Sequence, residues 1–387
     1  MKFNQWTLGL AAAGVVSLGS VAQADEAKLT SLQTALSHTV LSGYVDTSAI
    51  WRFGNGSGNI PGRSYDGSSK QDGFNLNVVK LTLEKPLDEG QWAAGYKVDL
   101  LFGPDASTFN STPGGANNAT AIKQAYVALR APVGNGLDFK IGVWDTIIGY
   151  EVFDAGNNPN YSRSYGYLLE PTTYTGILAS YRVNDIISLS AGIANGNNAA
   201  TSLNSRSGVQ DEKSYMGSIA LTAPKDWGFI AGSTLYAGVV DHGIAGAAGN
   251  IINFYAGSTV NTPVKGLSVG VAYDYSGQNK STVNSQNAVG LYASFKATEK
   301  MTLNARGEYA WGTPGSFSST AHPAGEEFIG LTGTLDYSLW ANVVSRVEVR
   351  WDHDAHSGAG TPAFTGGGTG TNQKDIVSLA LNVIYKF

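Results

Sequence analysis

The chain has no cysteine, few charged residues, and no long hydrophobic run beyond its first two dozen residues. Without cysteine among its 387 residues, the chain can form neither disulfides nor thiolate metal sites. Charged residues make up 14% of the sequence, against about 25% in ordinary soluble domains. Something other than charge must therefore cover part of the surface. The net charge of -5 and the lack of a basic cluster give no sign of a nucleic-acid partner.

The N-terminus predicts a secretory signal peptide. Lys2 precedes an apolar run from Trp6 to Leu18, and Ala22-Gln23-Ala24 provides a small-x-small cleavage sequence. We therefore expect residues 1–24 to be removed after Ala24, because the apolar run is shorter than the roughly 20 residues of a membrane-spanning helix. Residues 25–39 are then expected to form a short N-terminal periplasmic segment, and residues 40–387 a transmembrane β-barrel domain.

The last eleven residues predict a membrane-facing β-strand. Apolar residues alternate with mostly small or polar ones from Val377 to Phe387, and this period of two gives a strand one apolar and one wetter face. An open strand of this kind at a sheet edge would pair with other chains. Since a closed barrel has no free edge, the pattern favours the closing strand of an outer-membrane barrel.

Similar alternation recurs along the whole chain and predicts an all-β fold of about sixteen antiparallel strands. Seven short turns alternate strictly with eight longer connections rich in Gly, Ser and Asn. Short periplasmic turns and long outer loops are typical of outer-membrane barrels. The predicted strands are 40–53, 73–85, 91–102, 120–131, 136–144, 172–182, 185–195, 213–223, 228–241, 249–261, 266–276, 286–297, 300–311, 326–338, 341–353 and 374–387. The alternative of a soluble β-sandwich or β-helix explains the alternation but not the regular alternation of loop lengths.

Charged residues alternate with apolar ones on several of these strands. A charge that faces lipid at the bilayer midplane costs ~2–4 kcal/mol, so the charged rows are expected to face the lumen. Sixteen strands leave room there for a water channel. The predicted pore-wall residues are Lys97, Lys140, Arg182, Arg306, Glu308, Arg346, Glu348 and Arg350.

The longest predicted connection, from Asp145 to Pro171, is the third outer loop. It is rich in aromatic and aliphatic residues, so we expect it to pack against the inner wall; folding over the rim is the alternative. The predicted constriction residues in this loop are Asp145, Glu151, Asp154, Arg163 and Glu170. If this acidic loop lies opposite a patch of Arg306, Arg346 and Arg350, a transverse field crosses the pore. The alternative is ion pairing of Arg346 with Glu348 and Asp352 on one wall.

The sequence of the third loop resembles one family of porins. The resemblance rests on Gly142, Asp145-Thr146, Gly149-Tyr150-Glu151 and the run from Asn158-Pro159 to Tyr161-Ser162-Arg163-Ser164-Tyr165. These residues resemble the signature of the putative beta-barrel porin-2 family, the OmpL-like outer-membrane porins of Gram-negative bacteria. The resemblance implies a passive diffusion channel for small polar solutes and ions, embedded among outer-membrane lipid and lipopolysaccharide. By similarity, the third loop narrows the lumen, and a homotrimer is compatible with the family, while a monomer stays open.

Two other classes of function are less compatible with the sequence. An enzyme would need a nucleophile or a paired constellation at the rim, and Asp352-His353-Asp354-Ala355-His356 lacks a second cluster to complete it. We therefore expect neither catalysis nor a metal or other cofactor. An adhesin or receptor whose outer loops bind a partner, with the barrel as an anchor, is the main alternative, although it does not predict an aromatic, acidic third loop.

Overall fold

The chain forms a closed antiparallel barrel in which strands adjacent in sequence are adjacent in space. A computed structural model describes residues 38–53, 60, 62–109, 119–195, 213–243, 250–278, 285–317, 325–356, 362–365 and 372–387. The predicted signal peptide and almost all of the predicted periplasmic segment lie outside these residues.

The sixteen predicted strands are confirmed. The ninth begins later than predicted, because Gly228–Ile230 forms a 3-10 turn, and the positive φ angles of Gly228 and Gly232 interrupt the extended backbone. The barrel strands are β1 Val40–Phe53, β2 Gly73–Lys85, β3 Ala94–Phe102, β4 Thr120–Ala131, β5 Leu137–Asp145, β6 Thr173–Arg182, β7 Ile187–Asn195, β8 Lys213–Thr222, β9 Thr234–His242, β10 Ile251–Asn261, β11 Leu267–Gln278, β12 Ser285–Lys296, β13 Met301–Gly312, β14 Glu326–Tyr337, β15 Val343–Asp354 and β16 Asp375–Lys386. Two short strands outside the barrel, Phe364–Thr365 and Asn372–Gln373, pair with each other.

Helical structure is confined to loops and turns in the part of the chain described. The one α-helix among the described residues, α1, spans Tyr165–Leu169 in the third loop, and the Ser164 hydroxyl caps it by accepting the Tyr167 N–H at 3.1 Å. Other 3-10 turns cover Ser68–Lys70, Pro104–Thr108 and Ala155–Asn157. None of the helices in the described ranges is long and apolar enough to cross a bilayer.

The C-terminal strand closes the barrel, as the sequence predicts. β16 pairs with β1 on one side and β15 on the other, with Val45 opposite Tyr385 and Trp51 opposite Leu379. The terminal Phe387 exchanges backbone hydrogen bonds with Gly43 at 2.9 and 3.0 Å. This pairing leaves neither the first nor the last strand with a free edge.

The two faces of the sheet have the predicted polarity. On β16, Leu381, Val383 and Tyr385 are exposed to the outside, whereas Asn382 and Ile384 between them are buried inside the barrel. Two register shifts interrupt the alternation, one between β1 and β2 and one between β3 and β4. Such irregularities place consecutive residues on the same side, and the neighbours Lys123 and Gln124 on β4 are both buried.

Candidate functional site

The third loop, residues 145–171, lies inside the barrel. Its aromatic side chains Phe153, Tyr161 and Tyr165 are only 6%, 6% and 0% exposed. The prediction that this loop folds into the lumen is therefore confirmed, and the alternative of a loop folded over the rim is wrong. The apolar composition of the loop has a direct physical reason, because these side chains pack against the wall instead of facing water.

The loop is anchored on several sides of the lumen. At its start, Ile147 and Ile148 pack into an apolar cluster with wall residues of β6 to β12, such as Tyr174 and Val240. Further along, the loop packs against the wall at two other positions. Phe153 and Ala155 contact Tyr44, Val78 and Ile384, and Tyr165 and Leu169 contact Ala288, Ala310 and Phe328. Since these partners belong to different parts of the barrel, the loop crosses the lumen.

Three arginines of late strands, Arg306, Arg346 and Arg350, form what we call the arginine wall. Their guanidinium groups donate hydrogen bonds to backbone carbonyls of the loop. The bonds run from Arg306 to Ser162 at 2.7 Å, from Arg346 to Ala155 at 2.6 Å and Asn158 at 2.7 Å, and from Arg350 to Arg163 at 2.5 Å. All three side chains are buried. They thus serve as anchors of the loop.

Two wall carboxylates accept hydrogen bonds from backbone N–H groups of the same loop. Glu348 accepts the N–H groups of Tyr161 at 2.6 Å and Ser162 at 3.0 Å. Glu308 accepts the N–H of Tyr165 at 2.6 Å. A buried backbone without regular secondary structure needs partners for its polar groups. Charged wall side chains supply them here, which explains why both signs alternate on β13 and β15.

The loop acid Glu151 lies in contact with the arginine wall. Its carboxylate is 2.8 Å from Arg306, which also pairs with Glu308 at 2.7 Å. The prediction of a transverse field, with an acidic loop on one side of an open gap and an arginine patch on the other, is therefore wrong for these residues. The predicted alternative also named the wrong partners, because Arg346 pairs with Asp336 at 2.8 Å and Asp352 pairs with Arg350 at 2.8 Å.

Two further acids of the loop, Asp154 and Asp145, also pair with cations. Asp154 accepts from Lys80 with both oxygens at 3.0 Å and from the Tyr44 hydroxyl at 2.8 Å. Burial raises the pKa of Asp154, but the charges of Lys80 and Lys123 outweigh this effect and hold the pKa below its ordinary range. Asp145, at the end of β5, pairs with Lys123. Each acid therefore fixes one position of the loop.

The predicted constriction residue Arg163 braces the loop from within. Its guanidinium donates to the carbonyls of Tyr161, at 2.7 Å, and of Phe153, and it is 5.4 Å from the ring centre of Tyr65. Since Arg163 is 4% exposed, its charged group stabilises the fold of the loop and does not face the passage.

Three predicted pore-wall residues stand apart from the arginine wall. Lys97 lies 3.5 Å from Glu84, and the Lys140 ammonium lies 4.9 Å from the ring centre of Tyr126. Arg182 ends β6 at the periplasmic rim, where it pairs with the turn residue Asp185 at 2.5 Å. The side chain of Arg182 thus binds a turn, and its place in the wall of the pore stays a prediction.

The sequence reasoning overlooked two lysines that bind the loop. Lys80 on β2 is 4% exposed and Lys123 on β4 is 1% exposed. Lys80 lies on the same face as Thr82, so alternation could have identified it. Lys123 lies at the register shift of β4, and the sequence carried no signal of that shift.

A small water-sized cavity remains between the loop and the wall. Its volume accessible to water is about 40 Å³, which is above the ~10–15 Å³ that one water needs. Charged and apolar groups share its lining, which includes Phe109, Lys123, Asp145, Glu151, Phe153, Tyr167 and Glu170. The cavity is therefore polar enough to hold water beside the loop.

Comparisons with known proteins agree with this architecture. The sequence profile of the family described as "Putative beta-barrel porin-2, OmpL-like" matches residues 39–387. A comparison with curated proteins found no match.

Several solved structures share the fold at low sequence identity. OprB of Pseudomonas putida is 10% identical with a TM-score of 0.62, over 92% of this chain and 96% of that one. The outer membrane channel DcaP of Acinetobacter baumannii is 13% identical with a TM-score of 0.57, over 90% and 97%. OmpT of Vibrio cholerae, an outer membrane protein in trimer form, is 12% identical with a TM-score of 0.56, over 90% and 99%.

The family profile covers the whole barrel, including the third loop in the lumen. The chain therefore belongs to the putative beta-barrel porin-2, OmpL-like family, and it is an outer-membrane porin that acts as a diffusion channel.

Proposed function

We propose that the chain lets small hydrophilic solutes and ions cross the outer membrane through the narrow space that the third loop leaves in the lumen. The observation that carries this proposal is the water-sized cavity beside the loop, lined by Lys123, Asp145, Glu151 and Glu170. A charged, wet lining admits polar solutes and excludes apolar ones. The small size of the cavity favours ions and small molecules over larger nutrients.

The constriction consists of the third loop and of the wall residues that hold it. Glu151 and Asp154 bind wall cations, while Arg306, Glu308, Arg346, Glu348 and Arg350 bind the loop. In this proposal these residues set the width of the passage through their grip on the loop. Their ion pairs leave little free charge, which is a physical reason for weak selectivity.

Reconstitution in planar bilayers tests the proposal. The purified protein is expected to give discrete, ohmic current steps, and liposomes that contain it should swell faster in small sugars than in large ones. A correctly folded barrel that conducts nothing would instead favour an anchor whose outer loops bind a partner.

We also propose that the signal peptide is removed after Ala24. The support comes from the Ala22-Gln23-Ala24 sequence that follows the apolar run. N-terminal sequencing of protein from outer membranes should begin at Asp25. A chain that retains residues 1–24 would contradict this assignment.

Finally, we propose that the porin assembles as a homotrimer. The support is the likeness to V. cholerae OmpT, whose structure is described as a trimer form. Light scattering of the detergent-solubilised protein, corrected for bound detergent, should give about three times the mass of one mature chain. A single-chain mass would establish a monomer.

A further inference from the structure

Two carboxyl groups meet at the end of the third loop. Glu170 directly follows α1, and Asp274 projects into the lumen from β11. Their carboxyl groups lie close enough to form a hydrogen bond once one of them is protonated, and Asp274 is only 4% exposed. Among the described residues, no ion pair joins either carboxyl group to a cation. This contact is therefore unlike the other acidic contacts of the loop, each of which includes Lys or Arg.

Two loop glycines leave the space that this carboxyl pair occupies. A Cβ at Gly149 would overlap the Glu170 carboxyl group, and a Cβ at Gly166 would overlap that of Asp274. Asn253 holds the backbone next to Glu170 by donating a hydrogen bond to the Leu169 carbonyl at 2.6 Å. The loop backbone is therefore shaped around the pair, as expected for a built site.

The surroundings of the pair favour a shared proton. Two carboxylates in contact away from water cannot both stay ionised at neutral pH, so they bind one proton between them. Burial, followed by the charges of Asp274 and Glu151, raises the pKa of Glu170 well above its ordinary value. One oxygen of Asp274 has no hydrogen-bond partner. The other titratable or charged groups around the pair and its cavity are Tyr150, Glu151, Tyr167, Tyr236, Tyr255 and Tyr292, with Arg306 on Glu151 and Lys123 on Asp145.

Glu170 also lines the water-sized cavity. The other charges of that lining are compensated, because Lys123 pairs with Asp145 and Glu151 pairs with Arg306. The net charge along the passage therefore changes most with the protonation of Glu170.

We propose that Glu170 sets the ion preference of this channel. While the pair holds one proton it carries a single negative charge, on Asp274 outside the cavity lining, and loss of the proton adds a second charge, on Glu170, that selects cations. The inference rests on the proposed function, since it requires ions to pass this cavity. It adds a specific residue and a pH dependence to that function. An uncompensated carboxylate in a narrow passage attracts cations and repels anions.

Reversal potentials in a KCl gradient, measured across a pH series, test the inference. The wild-type channel should prefer K⁺ over Cl⁻ increasingly as the pH rises through one step. Glu170→Gln should remove that step. Asp274→Asn should move it down by about one pH unit or more, because the neighbouring carboxyl group then no longer opposes ionisation of Glu170. Glu299→Gln, a change in an exposed periplasmic turn, is the matched control and should leave the step in place.

The outcomes separate this inference from the proposed function. A wild-type barrel that conducts nothing would refute the proposed function and the inference with it. A conducting channel without a pH step, or a Glu170→Gln variant that keeps the wild-type step, would overturn the inference alone. If Glu170→Gln fails to give a heat-modifiable barrel, Asp274→Asn decides, and an unshifted step in that variant would overturn the inference.

Discussion

Replacement of Glu348 by glutamine should loosen the third loop while the barrel stays folded. Glu348 accepts hydrogen bonds from the backbone N–H groups of Tyr161 and Ser162 at 2.6 and 3.0 Å, and from the Thr334 hydroxyl at 2.7 Å. Glutamine keeps the size of the side chain but offers one acceptor oxygen and one donor NH₂ group. One backbone N–H of the loop would therefore face another donor.

The cost of Glu348→Gln follows from these contacts. A hydrogen bond to a charged group contributes about 1.5–3 kcal/mol, and a buried N–H without a partner costs about 1–3 kcal/mol. Because these contributions overlap, we expect the loop to be destabilised by about 2–4 kcal/mol. Since every 1.4 kcal/mol corresponds to a factor of ten, the detached loop should become about 30- to 700-fold more populated.

Hydrogen exchange and single-channel recording measure this change. The amides of Tyr161 and Ser162 should exchange faster in Glu348→Gln, and the current should fluctuate more often to higher levels. The matched control is Glu84→Gln, because Glu84 is a lumen-side carboxylate that pairs with Lys97 at 3.5 Å and has no bond to the loop. Unchanged exchange and unchanged current noise in Glu348→Gln would refute the view that wall carboxylates hold the loop.

Three further predictions concern the loop and the barrel. The pKa of Asp154 is held below its ordinary range. Its contribution to loop stability is therefore present above the ordinary Asp pKa of about 3.9 and is lost as the pH falls below that value. Acid should increase proteolysis of the loop in the wild type but add little in Asp154→Asn. Leu381→Arg, on the lipid-facing row of β16, should lower the free energy of unfolding in lipid by ~2–4 kcal/mol, as a urea titration would measure. Deletion of Glu151–Tyr165 should raise single-channel conductance, and an unchanged conductance would mean that the loop does not narrow the lumen.

The fold could be predicted from the sequence because each strand has to meet two opposite solvents. Lipid and lumen impose an alternation with a period of two, and β16 shows it from Val377 to Phe387 without interruption. The strand bounds follow from the short turns, several of which carry Pro and Gly. The exception, the start of β9, occurred where apolar residues such as Phe229 continue the pattern into a turn.

The site was only partly predictable, because its contacts join residues that are distant in sequence. The acidic and aromatic character of the third loop indicated that it packs in the lumen. Nothing in the sequence indicated that Arg346 would bind the carbonyls of Ala155 and Asn158, or that Glu170 would meet Asp274. Such partners depend on the path of the loop across the barrel, which alternation does not encode.

The position of the third loop in the conducting channel is the central claim, and one cross-linking measurement tests it. The absence of native cysteine allows a clean double variant, Asn160→Cys with Thr334→Cys, at two side chains that lie 2.7 Å apart between the loop and β14. A short bifunctional thiol reagent should join them, and the cross-linked protein should conduct as the wild type does. Asn160→Cys with Ser190→Cys, on a distant strand of the barrel, should not cross-link. Failure of the first pair to react, or loss of current once it has reacted, would contradict a channel that conducts with its third loop fixed against the wall.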